Sequence, residues 1–348
     1  MGSMRWSYII ISACVVAILA AAASAVCLTP NLRAAAPGLA PQLNLPSFRA
    51  AQSLPPDPSA RDMLTTGLLF DGHNVWAANT RDDSVEELSS RDGKVLGAFR
   101  VGSGPVGLAF DGTNIWVTNR DDDSVTKLDA SDATIIGTYP VGNGPIAAVS
   151  DGKNVWVVNR DGDSVTKLRA SDGAVLGSYG VGGGPVATVF DGANIWVVNR
   201  GSDSVTELRP SDGKVLNSYP VGSSPVAAVF DGENLWIANG ESNSLTKLRP
   251  SDGVVLATIE LDSSPRAIVS DGTNIWVVLS RRGIVKVRPS DGTVVGNFPA
   301  GGSPTSVALN GQQLWTLSYG DGYLIRLDAR DGKMLGVSGL RAPQGPAM

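Results

Sequence analysis

The sequence predicts an all-β chain: a seven-bladed β-propeller of four-stranded antiparallel blades, preceded by an N-terminal hydrophobic segment. Two observations lead there. Trp76, Trp116, Trp156, Trp196, Trp236, Trp276 and Trp315 recur every 40 residues, the last after 39. Each period holds four short β-type runs divided by turn residues, and none keeps helical periodicity long enough to form a helix. Four strands per repeat of this length make a propeller blade, and seven copies make seven blades.

The elements follow in chain order. Residues 1–27 read as a signal peptide or membrane anchor. Arg5 precedes an apolar run over 8–26, and Ala23-Ser24-Ala25 has the small-x-small pattern of a cleavage site. Export to the periplasm, cell envelope or exterior is the expectation, with membrane contact only through this segment. Residues 28–60 carry Pro30, Pro37, Pro41, Pro46, Pro55, Pro56 and Pro58. Proline fixes φ and removes donors, so this stretch reads as a semi-extended spacer. Residues 61–341 are the propeller and 342–348 a short tail. Cys14 and Cys27 both precede the repeats, so the propeller has no disulfide framework and no thiolate chemistry.

Within one period, Gly104-Pro105-Val106-Gly107-Leu108-Ala109-Phe110 is a first strand and Asn114-Ile115-Trp116-Val117-Thr118-Asn119 a second. Ser124-Val125-Thr126-Lys127-Leu128 and Thr134-Ile135-Ile136-Gly137-Thr138-Tyr139 supply the third and fourth. Asp-Gly dipeptides stand at two fixed places and supply the positive φ of tight turns. The second strand is apolar on both faces, with Ile115 and Val117 on one and Trp116 on the other. Such a sheet has no wet face, so each blade packs between two neighbours and the tryptophans become inter-blade packing rather than ligand cages. Thr65 stands where later blades carry proline. The last copy ends in its own fourth-strand run, Lys333-Met334-Leu335-Gly336-Val337, so the ring is expected to close without a swapped strand.

The segment Gly-Pro-x-x-x-x-Phe-Asp-Gly-x-Asn-Ile-Trp-Val-x-Asn at 104–119 resembles the YVTN-type β-propeller repeat family and is similar to the streptogramin B lyase (virginiamycin B lyase) group. The resemblance implies that first strands line a central channel. It also implies a ligand face built from the blade-to-blade connectors and the loops between second and third strands. The lyase group's catalytic histidines and magnesium site do not carry over. The single histidine, His73, falls in a turn on the opposite face.

No Ser-His-Asp arrangement or Gly-x-Ser-x-Gly is present. The connectors read VGSGP, VGNGP, VGGGP, VGSSP, LDSSP and GGSP, with Asp262 their one acid. The Asp-rich loops at 121–123 and 161–163 lack the spacing and distal glutamate of a calcium loop. The repeated Asp or Asn before Ser (Asp83, Asp123, Asp163, Asp203, Asn243) is expected to bond its own turn. No cofactor and no metal is expected. A net charge of −5 with no basic run argues against nucleic acid.

Blade 6 departs from the template. Arg266 follows the opening proline, Arg281 and Arg282 replace loop acids, and Asp262 enters an otherwise uncharged connector; blade 7 adds Tyr319. Asp262, Arg266, Arg281, Arg282 and Tyr319 are the candidate binding residues, suited to an anionic group. The expected function is a non-enzymatic exported module that binds or scaffolds a protein, peptide or glycan. The expected assembly is a monomer. The alternative is a divergent streptogramin-lyase-like or lactonase-like enzyme.

Overall fold

The computed structural model describes residues 65–281, 283–318 and 323–339. The apolar run 8–26, the spacer 28–60, the tail 342–348, Arg282 and Tyr319 lie outside them. Strands β1(Thr65–Phe70) to β28(Met334–Gly339) fall into seven separate antiparallel sheets, each made of four strands consecutive in sequence. Each sheet is a blade, from β1–β4 as blade 1 to β25–β28 as blade 7. The first strands, β1, β5(Pro105–Phe110), β9(Pro145–Ser150), β13(Pro185–Phe190), β17(Pro225–Phe230), β21(Pro265–Ser270) and β25(Pro304–Leu309), touch one another in a closed circle. They surround the channel. No blade borrows a strand, as the complete last repeat predicts.

All seven repeated tryptophans are fully buried. Each packs against the second strand of the following blade: Trp116 meets Val155 and Val157, and Trp156 meets Ile195 and Val197. The same contact joins the ends of the ring, where Trp315 of blade 7 meets Val75, Ala77 and Leu88 of blade 1. Burying both faces of the second strand removes more apolar area from water than a one-sided sheet could, and this is the main stabilising term.

Polar groups fix the register of these contacts. In five blades a third-strand cation lies over the tryptophan and reaches a carbonyl in the next blade's outer turn. Lys127 Nζ sits 5.2 Å from the Trp116 ring and donates to Ala170 O at 2.7 Å. At the closing seam Arg326 lies over Trp315 and donates to Arg91 O at 2.7 Å. The outer turns also carry Arg–Asp pairs such as Arg209–Asp212, in which the guanidinium holds the Asp212 carboxyl down to about 2. Both side chains are half exposed, so such a pair adds little to stability.

The Asp of the first Asp-Gly turn does more than bend the chain. Asp111 Oδ1 accepts from the amides of Thr113 and Asn114, while Oδ2 accepts from Trp116 Nε1 at 2.7 Å. Six blades repeat the indole bond. The glycine after it takes φ near +100° in blades 1, 2 and 5, as a tight turn requires.

Candidate functional site: the channel mouth

Antiparallel order puts the connectors and the loops between second and third strands on one face, here the connector face. The loops between first and second strands and between third and fourth strands lie on the other. His73 stands exposed on that other face, its amide donating to Asp71 Oδ1.

In blades 1–5 the second-to-third-strand loop ends in a repeated Asp or Asn. Asp83, Asp123, Asp163, Asp203 and Asn243 adopt left-handed backbone, with φ between 43° and 51°. Contrary to the expectation from sequence that they bond their own turns, the four carboxylates reach the connector of the next blade. Asp83 accepts from Gly104 N at 2.9 Å, Asp123 from Gly144 N, Asp163 from Gly184 N and Asp203 from Ser224 N, each at 2.7 Å. The left-handed conformation turns the carboxylate away from its own loop, and the connector amides are the orphan donors within reach. Asp122 accepts from Ser103 N at 2.5 Å. These carboxylates are thus engaged by backbone donors.

Inside this collar the channel opens into a cavity of about 540 Å³. Its wall is apolar, with Leu68, Val106, Leu108, Ile146, Ala147 and Val186 from four successive first strands. Gly67 and Gly107 keep those strands close, because a Cβ on either would run into the backbone of the next blade. At the rim stand Thr80, Arg120 and Arg160, each the first residue after a second strand. Arg200 holds the same position in blade 4 and donates Nε to Ser224 Oγ at 2.8 Å. Gly240 and Ser280 follow in blades 5 and 6. The result is a basic arc over blades 2–4, with Arg120 and Arg160 exposed. Among the described residues no side-chain hydrogen bond or ion pair holds either guanidinium.

The residues singled out in blade 6 are distributed along the same face. Arg266 is exposed at the β21 position that Val106, Ile146 and Val186 occupy in the cavity wall. Arg281 is exposed in the shortened loop between β22(Ile275–Leu279) and β23(Gly283–Val287), and Asp262 is exposed in the connector. The cavity wall itself comes from blades 1–4 and Ser306 of blade 7, so blade 6 borders the channel through β21 without lining this chamber. Sequence reasoning missed Arg120 and Arg160 because they belong to the repeat. The available signal was that only three blades carry arginine there.

One buried acid stands apart. Glu86 replaces the threonine of Thr126, Thr166, Thr206 and Thr246, which accepts from the asparagine ending the second strand in blades 2–5. Its Oε1 accepts from Asn79 Nδ2 at 3.3 Å and its buried Oε2 has no partner. Burial pushes the carboxyl up to about 7, against the opposing Asn79 hydrogen bond. A second cavity of about 510 Å³ lies on the opposite face between blades 5 and 6, lined by Glu233, Lys247 and Arg288 among others. Among the described residues no cluster of His, Cys, Asp and Glu is arranged to hold a metal ion.

A family model, PQQ_2, described as outer membrane protein assembly factor BamB, matches residues 71–298. No curated protein sequence matches the chain. Among solved structures, a functionally unknown protein from Desulfotomaculum acetoxidans DSM 771 superposes with a TM-score of 0.68 at 15% identity, over 76% of this chain and 95% of that one. A streptogramin B lyase superposes with 0.64 at 19% identity, over 77% and 92%. Virginiamycin B lyase from Staphylococcus aureus gives 0.65 at 16% identity, over 77% and 95%. At these identities the likeness is one of fold, and the resemblance to the lyase group holds at that level.

Proposed function

The chain belongs to the PQQ_2 propeller family, and on that premise we propose that it is a non-enzymatic module acting outside the cytoplasm, whose connector face docks a protein partner. The observation that carries this reading is the pair of exposed guanidiniums of Arg266 and Arg281. Both break the repeat, both stand on the connector face, and among the described residues neither has a side-chain hydrogen bond or ion pair. Unpaired arginines on a rigid surface suit carboxylates presented by another protein, because a planar fork can engage them bidentately. The family description, an outer membrane protein assembly factor, supports an envelope role of the same kind.

Export rests on the apolar run 8–26 and the Ala23-Ser24-Ala25 site. The lyase alternative draws no support from the chain's one histidine, His73, which lies on the face opposite the channel cavity and rim. Crosslinking in the native envelope fraction, followed by capture of the chain, tests the reading. One dominant protein partner is the expected result. Recovery of no partner, together with turnover of a cyclic ester in the presence of magnesium, would overturn it in favour of the lyase alternative.

A further inference from the structure

The channel cavity has a chemistry of its own, separate from docking on the outer face. Its wall is aliphatic and its rim carries two unpaired guanidiniums, Arg120 and Arg160. Among the described residues no ion pair joins them to the neighbouring carboxylates. Asp122 and Asp123 accept from connector amides, and Asp121 and Asp161 lie against Gly104 and Gly144. Arg120 and Arg160 line the cavity, and none of these aspartates does. An extended polyanion approaching this face meets the acidic collar, whereas a compact anion entering the hole meets the arginines. The chamber of about 540 Å³ falls within the usual range for small-molecule sites, and below the rim its wall is Leu, Val, Ile, Ala and Gly with the one hydroxyl of Ser306.

We propose that the channel mouth binds a small carboxylate with an apolar body, its charged end between Arg120 and Arg160 and its hydrocarbon in the chamber. Neither part suffices alone. The arginines give direction and the wall gives affinity through burial of apolar area. Arg200 is partly withheld by Ser224, and Gly240 and Ser280 put no charge at the equivalent position in blades 5 and 6, so Arg120 and Arg160 of blades 2 and 3 are the guanidiniums that line the chamber.

Titration calorimetry of the full chain with octanoate tests this, with acetate and octanol as controls lacking the body and the charge. Octanoate is expected to bind at one site, more tightly than either control by about tenfold or more. Binding should weaken as salt is raised. Arg120→Gln with Arg160→Gln should weaken octanoate by about tenfold while leaving octanol and the melting midpoint unchanged. Arg120→Lys with Arg160→Lys should restore part of the loss, because the charge is kept. Arg266→Gln should leave octanoate binding unchanged. Equal binding of octanol, or octanoate binding indifferent to the double glutamine variant, would overturn the proposal. Binding of an acetylated apolar tetrapeptide through its free C-terminus, with no octanoate binding, would also overturn it and reassign the site to a peptide end.

Discussion

Trp156 donates its indole N–H to Asp151 Oδ2 at 2.9 Å, and the other oxygen of the same carboxylate caps the amides of Lys153 and Asn154. One side chain thus closes the turn and orients the largest residue of the inter-blade core. Blade 7 shows what happens without it. Asn310 stands in place of the aspartate, its oxygen accepts from Gln312 and Gln313, and Trp315 Nε1 is buried with no partner.

Three substitutions should separate these roles. Trp156→Ala is expected to cost about 3–5 kcal/mol, the range for removing a large buried aromatic. Asp151→Ala should cost about 2 kcal/mol, since it strands a buried indole donor but leaves the packing in place. Asn310→Asp should stabilise by about 1 kcal/mol by giving Trp315 an acceptor. Urea denaturation monitored by tryptophan fluorescence measures all three; an Asn310→Asp variant weaker than wild type would contradict the assignment.

Two glycines of positive φ predict unequal costs. Gly213 has φ +71° and lies beneath the Tyr179 ring of the preceding blade, which leaves no room for a Cβ. Gly192 has φ +94° and open space around it. Gly192→Ala should cost about 1 kcal/mol from backbone strain alone, and Gly213→Ala about 3 kcal/mol because the ring must also move. Melting midpoints should therefore fall further for Gly213→Ala, and equal shifts would remove the ring contact from the account.

Glu86 makes stability depend on pH in the unusual direction for an acid. Its folded pKa of about 7 lies above the ordinary value of 4.5, chiefly through burial. Between those values the unfolded chain has released the proton and the folded chain has kept it, so stability falls as pH rises. Below pH 4.5 the penalty is absent, and above pH 7 it is complete, on the order of 3 kcal/mol. Glu86→Gln should flatten this slope across pH 4.5–7 and raise the melting midpoint at pH 8. A wild-type midpoint that rises over the same window, with the variant unchanged, would reverse the sign.

The two sets of arginines should separate in function. Arg266→Ala with Arg281→Ala and Arg282→Ala is expected to leave folding intact and weaken capture of the envelope partner about tenfold. Arg120→Ala with Arg160→Ala and Arg200→Ala should affect that partner less. Equal losses from both sets would show that the blade 6 departures carry no special role; quantitative crosslinking yields supply the comparison.

Blade count, strand order and the packing of Trp76 to Trp315 were legible because a period of 40 residues repeats one physical task seven times. The work of Asp151 and Asp123 was not. A turn sequence announces a bend, but which donor its carboxylate reaches depends on neighbours brought near only by the ring. Arg120 and Arg160 were hidden for a related reason. Sharing a position with the repeat made them look structural, and their place at the channel rim emerges only once seven first strands form a circle. Glu86 escaped the sequence reading altogether: it stands where blades 2–5 carry threonine, and its burial depends on the packing of whole blades.

Since each blade is one uninterrupted stretch of chain and the last meets the first through Trp315 and Arg326, no position along the circle is privileged. A gene in which the coding order is cut at any connector and rejoined at the old ends would specify the same set of blades. Duplication of one period, wherever its endpoints fall, would likewise insert a complete blade, leaving angular closure rather than strand pairing to set how many the circle holds.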